Sequence, residues 1–226
     1  MGYVEEVPVI VNANEPHMAC LLLVDTSSSM AGQAIDSLNE GINRFQKEVC
    51  KDERTRSILD VAIVEFNSSV KPVQGWCPIE YMEPIHLAAG GGTDMVNGLR
   101  MAIDMVQERS RFYWSSTGTM PYKPSIIMIT DGYPSGSIDN IANEIAKLDE
   151  KGKLHLWSLA VEGADTALLN KLCGGKRALK LKGKDFTDFF DWVNMSMRSV
   201  SQSSPVEKAK GVELPENVDK NTDDWM

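Results

Sequence analysis

LLLVDTSSSM, residues 21–30, is the stretch on which the fold turns. An apolar run stops at Asp25, and a run of hydroxyl residues, Thr26 to Ser29, follows before a long helical pattern. A strand that ends on an acid and turns through hydroxyls into a helix puts side-chain oxygens at the C-terminal edge of a sheet. In open α/β folds that edge is where ligands bind. The D-x-S-x-S spacing aims Asp25, Ser27 and Ser29 at one point, and a ring of oxygens suits a hard cation.

Working outward, Met18 to Val24 shows no alternation, as expected of a central strand buried on both faces. Residues 32–51 carry Ile35, Leu38, Ile42, Phe45 and Val49 at helical spacing. Residues 58–66 read as a β-branched strand, and the turn at 67–69 followed by Val70 to Gln74 reads as a hairpin. Gly90-Gly91-Gly92-Thr93-Asp94 leads into a helix carrying Met95, Leu99, Ala102, Ile103 and Val106. Residues 110–124, with Tyr113 and Trp114, are expected to form a longer loop near the ligand edge. A second apolar strand, Ser125 to Thr130, ends at Asp131. A helix (138–148), a strand (154–161), a short helix (166–172), a short strand (177–181) and a closing helix (185–200) complete the pattern.

The expected fold is therefore α/β and doubly wound: a mainly parallel sheet with one antiparallel edge strand and helices on both faces. The expected division is an N-terminal extension (1–17, with a possible edge strand at 7–11), one domain (18–200) and an acidic polar tail (201–226). Within that tail, order is expected only where Val212, Leu214 and Trp225 find a groove.

The 226 residues, 42% apolar, suit one sizeable core. A net charge of −9 argues against nonspecific nucleic-acid binding, which needs a basic face. The longest apolar run has seven residues, against the roughly 20 a membrane span requires. Residues 1–16 hold three glutamates and no basic stretch, unlike a secretory signal. Cys20, Cys50, Cys77 and Cys173 are widely spaced and read as reduced thiols, and a cytoplasmic location is expected.

Three loops now bring oxygens to one edge: Asp25-Ser27-Ser29, Thr93 after the glycines, and Asp131. Each residue alone could be a helix cap or turn residue; their order along an α/β pattern sets them apart. DTSSS, GGGTD and ITDG together resemble the von Willebrand factor A domain and its metal-ion-dependent adhesion site, over about residues 18–200. The resemblance implies that Ser27 and Ser29 bind the metal directly and Thr93 directly or through water. Asp25 and Asp131 would act largely through water and hydrogen bonds, with Mg²⁺ (or Mn²⁺ or Ca²⁺) as the ion. The site would then receive a Glu or Asp of a partner protein.

Within the family, the WCPIEYMEPIHL segment before GGGTDM resembles the TerY-like bacterial tellurium-resistance proteins. Their gene clusters also encode a protein kinase and a protein phosphatase, which implies a scaffold in a stress-response assembly. The tail's Glu216, Asp219, Asp223 and Asp224 are candidate acidic ligands in cis.

An enzyme is the competing reading, with Asp25 as the nucleophile of a phosphohydrolase. That chemistry needs a second acid two residues on, and Ser27 stands there. The sequence contains no G-x-x-x-x-G-K-[ST] phosphate loop. The protein is expected not to be an enzyme.

Overall fold

The computed structural model describes residues 10, 12–134 and 136–220. Its centre is strand β1 (Met18–Asp25), all eight residues of which are buried. Cys20, Leu22 and Val24 enter one apolar layer and Leu21 and Leu23 the other, which is why the strand shows no alternation. The first layer is closed by helices α1 (Gln33–Val49) and α6 (Thr187–Ser201). The second is closed by α3 (Met95–Thr117), α4 (Asp139–Glu150) and α5 (Thr166–Leu172). Burying each Leu, Ile or Phe contributes about 1.5–3 kcal/mol, so these two layers hold the fold.

The remaining strands are β2 (Leu59–Phe66), β3 (Val70–Pro78), β4 (Ser125–Thr130), β5 (His155–Ala160), β6 (Ala178–Leu181) and β7 (Val218–Lys220). The seven run in the order β3-β2-β1-β4-β5-β6-β7. β2, β1, β4, β5 and β6 are parallel, and β3 forms the expected antiparallel edge. From β1 the chain moves outward to β2 and β3, then crosses back to β4 on the other side. The C-terminal ends of β1 and β4 therefore flank the switch point of the sheet.

Three features depart from the sequence reading. Residues 110–117 are not loop but the end of α3, closed by Gly118 at φ 67°. Arg109 breaks the apolar stripe in the sequence, yet it is buried against Asp60 (2.6 Å), and Tyr113 donates to the same carboxylate. The helix continues because its one buried cation is neutralised. Since α3 starts at the ligand edge and runs antiparallel to the strands, Trp114 lies at the opposite pole, not near Asp25.

A short helix, α2 (Glu53–Ile58), precedes β2 and is capped by Asp52, whose Oδ1 accepts from Thr55 N at 2.8 Å. The acidic tail also packs. Trp192 Nε1 donates to Val212 O at 3.3 Å, and β7 pairs antiparallel with β6, a second antiparallel edge. Val218 opposes Leu181, so the chain leaves β7 heading away from the ligand edge. Asp219 lies 3.0 Å from Lys182 Nζ. Of the candidate tail ligands, Asp219 thus lies on the far edge strand and Glu216 in the turn just before it, next to Lys182 after β6 rather than at the loops of β1 and β4. The candidate strand at 7–11 (apart from Ile10), Asp223, Asp224 and Trp225 fall outside the described residues.

Candidate metal centre

Asp25 closes β1 and is fully buried. Its Oδ1 accepts from Ser27 N at 2.8 Å, which folds the chain back over the strand end. A single 3₁₀ turn, Ser28–Met30, follows, anchored by the fully buried Met30. That turn leaves the Ser27 and Ser29 hydroxyls on one side, 3.1 Å apart.

The second loop is held from two directions. Asn39 and Asn43 of α1 grip the extended segment before it: Asn39 exchanges hydrogen bonds with Leu87 N and O (2.7 and 2.9 Å), and Asn43 with Ile85 N and O (2.9 Å each). Further on, Gly90 N donates to Thr26 O (2.7 Å), and both the amide and the hydroxyl of Ser28 donate to Gly91 O (3.1 Å). Gly91 adopts φ 83°, and a Cβ there would meet Ser68 Oγ at 2.7 Å. Glycine serves conformation and space at once. Asp94 N donates to Asn67 O (2.7 Å), which fixes Thr93 just before α3 begins. Asp94 itself accepts from Asn97 (2.8 Å) in the first turn of that helix.

The third loop arrives with β4. Thr130 Oγ1 donates to Asp25 Oδ2 at 2.5 Å and accepts from Gly132 N at 3.1 Å. Ser29 Oγ donates to Asp131 Oδ1 at 2.7 Å. A Cβ on Gly132 would lie 3.0 Å from Thr93 Cγ2 and 3.1 Å from both Thr93 Oγ1 and Asp25 Oδ2. The structure therefore brings Asp25, Ser27, Ser29, Thr93 and Asp131 to one place. Thr130, Asn67 and Ser68 support them without having stood out in the sequence.

Burial pushes the Asp25 carboxyl above the usual carboxylate range and nearby Asp131 adds to the rise, against hydrogen bonds from Ser27 and Thr130. Among the described residues neither aspartate forms an ion pair, and no three His, Cys, Asp or Glu side chains cluster. The donor set is instead three hydroxyls and two carboxylates. All are hard oxygens, and the buried negative charge lacks a cationic partner. That set fits a divalent cation such as Mg²⁺. His17 stacks on Tyr113 (5.1 Å) at the opposite pole, His86 is exposed, and His155 begins β5; none reaches the cup.

The profile of a family described as "von Willebrand factor type A domain" matches residues 20–134, just over half the chain. Among solved structures, a von Willebrand factor type A protein from Catenulispora acidiphila aligns at TM-score 0.62 and 14% identity over 81% of this chain and 43% of its own. The von Willebrand domain of the type V pili tip protein Mfa5 from Porphyromonas gingivalis aligns at 0.59 and 12%, over 88% and 99%. Proximal thread matrix protein 1 of the mussel byssus, in a structure with a zinc-occupied MIDAS motif, aligns at 0.57 and 17%, over 85% and 46%. At such identities the likeness is one of fold, and this chain spans less than half of the first and third proteins. No curated protein matches the sequence.

Proposed function

The chain belongs to the von Willebrand factor type A family, and from that premise we propose that it is a metal-dependent receptor for an acidic residue of a partner protein. Ser27, Ser29 and Thr93 would hold the divalent ion, Mg²⁺ or else Mn²⁺ or Ca²⁺, with Asp25 and Asp131 balancing its charge. When bound, the ion supplies a coordination position for a carboxylate. Because the inner donors are neutral hydroxyls, the two aspartates do not quench the cation, and it retains affinity for one more anion. α3 starts one residue after the Thr93-Asp94 pair, and its N-terminal end adds a field that favours that anion. The residue-level work belongs to the chain: Thr130 and the Ser27 amide orient Asp25, while Ser28 and Ser68 clamp the glycine loop.

The observation that carries this reading is the run of contacts from Ser27 through Ser29 to Asp131 (3.1 and 2.7 Å), which joins residues of the β1 and β4 loops 102 apart in sequence. A phosphohydrolase using Asp25 is disfavoured by the same geometry. Both carboxylate oxygens are already engaged, the residue has no exposed surface, and Ser27 occupies the position where a general acid is needed.

The wider setting is part of the same proposal. The WCPIEYMEPIHL–GGGTDM likeness favours a tellurite or stress-response assembly, with a kinase or phosphatase of the same gene cluster as partner. Four free thiols among the described residues favour a cytoplasmic site of action, and no described helix is long and apolar enough to cross a membrane. The test is capture of partners on immobilised protein with Mg²⁺ or with EDTA. A partner retained with Mg²⁺, released by EDTA, and absent from Ser29→Ala and Asp131→Ala supports the reading. Retention that ignores EDTA and both variants contradicts it.

A further inference from the structure

We propose a second docking surface, at the pole opposite the metal centre, for an acidic peptide segment of a partner protein anchored by a bulky apolar side chain. The C-terminal ends of α3 and α4 and the irregular segment that leads into β4 enclose a groove of about 880 Å³. Its floor and walls are apolar: Trp114 and Met120 line it while remaining 59% and 54% exposed, and Leu148 and Pro124 stand behind them. Exposed aromatic and methionine side chains beside a groove are the anchoring type of surface.

The rim sets the partner's charge. Arg111, Lys123, Lys151 and Lys153 line the groove and no Asp or Glu does, on a chain with 32 acidic and 23 basic residues. Lys123 is shared with Asp149 (2.8 Å), but among the described residues Arg111, Lys151 and Lys153 make no ion pair. Three uncommitted cations around an apolar trough complement an acidic, amphipathic ligand. A basic or purely apolar ligand would leave them unanswered.

The groove is independent of the metal cup. Lys123 and Pro124 precede β4, whereas Asp131 follows it. Six strand residues separate the poles by about 20 Å. One molecule could thus hold two acidic partners, one through the ion and one without it.

The test uses the full chain in EDTA, which silences the cup, and a fluorescent octapeptide of aspartate and glutamate around a central Leu-Phe pair. The anisotropy titration should show binding. The exposed double change Lys151→Glu/Lys153→Glu and the single change Trp114→Ala should each weaken it by about tenfold or more. Ser27→Ala should bind as the parent does, and a lysine-for-acid version of the peptide should not bind. Equal affinity in the charge-reversed protein, or loss of binding in Ser27→Ala, overturns the proposal. A tenfold gain on deleting residues 1–9 would also overturn it, by giving the groove to this chain's own N-terminal segment.

Discussion

Gly132 sits where the third loop closes on the first two. A methyl group there would press on Thr93 Cγ2 at 3.0 Å and on Thr93 Oγ1 and Asp25 Oδ2 at 3.1 Å. Gly132→Ala is therefore expected to leave the circular-dichroism spectrum unchanged and to weaken Mn²⁺ binding, read by calorimetric titration, by an order of magnitude. Thr130→Val keeps the shape of its side chain but removes the hydroxyl that serves Asp25 and Gly132 together. Leaving that buried carboxylate short of a donor should cost about 1–3 kcal/mol in urea unfolding. At this scale the sequence was readable only in part. Asp25, Ser27, Ser29, Thr93 and Asp131 were visible because acids and hydroxyls directly follow apolar runs or a glycine cluster. Thr130 was not, because a β-branched residue ending a strand looks ordinary until β4 is laid beside β1. Asn67 and Ser68 looked like turn residues for the same reason, and their second task exists only once the glycine loop is placed over them.

Among the elements, α1 and α6 meet more tightly than helix propensity alone would favour. A Cβ on Gly41 would come within 2.5 Å of the Phe190 ring. Alanine would contribute about 1 kcal/mol of propensity, but overpacking costs about 1–3 kcal/mol, so Gly41→Ala should lower stability. A smaller residue at 190 should recover part of the loss. α3 depends on its buried ion pair: Arg109→Ala would strand Asp60 without a cation and should cost about 3–5 kcal/mol in chemical unfolding. That pair is also why α3 could not be followed past residue 109 from periodicity. β7 was hidden differently, since Val218 is the single apolar residue of a three-residue strand and leaves no pattern to read.

At the start of β5, burial and then the cations Arg177 and Lys123 push the His155 imidazole down to about 4. At 3.9 Å from Asp149 it would form an ion pair only if protonated, which its surroundings oppose. The unfolded chain takes up that proton first, near 6.5, so stability contributed by neutral His155 is complete above that pH and declines as pH falls toward 4. His155→Gln should flatten the pH dependence of the melting temperature across that window; an unchanged slope would assign it to other groups.

Over the whole molecule, the doubly wound sheet was legible because each strand and helix carries its own apolar period, and topology then forces Asp25 and Asp131 together at the switch point. The course of the tail was not legible, because its docking is set by backbone pairing with β6 and a few contacts such as Val212 under Trp192. The central claim is that this edge holds a divalent ion through Ser27, Ser29 and Thr93. Thermal unfolding with Mg²⁺ or Mn²⁺ against EDTA tests it most directly. At 100 times the dissociation constant the ion should contribute about 2.7 kcal/mol, a rise of roughly 5–10 °C for a domain of this size. That rise is expected in the parent protein and is expected to be absent in a folded Ser27→Ala protein. Identical melting of the parent with and without metal, or the same rise in Ser27→Ala, would contradict it.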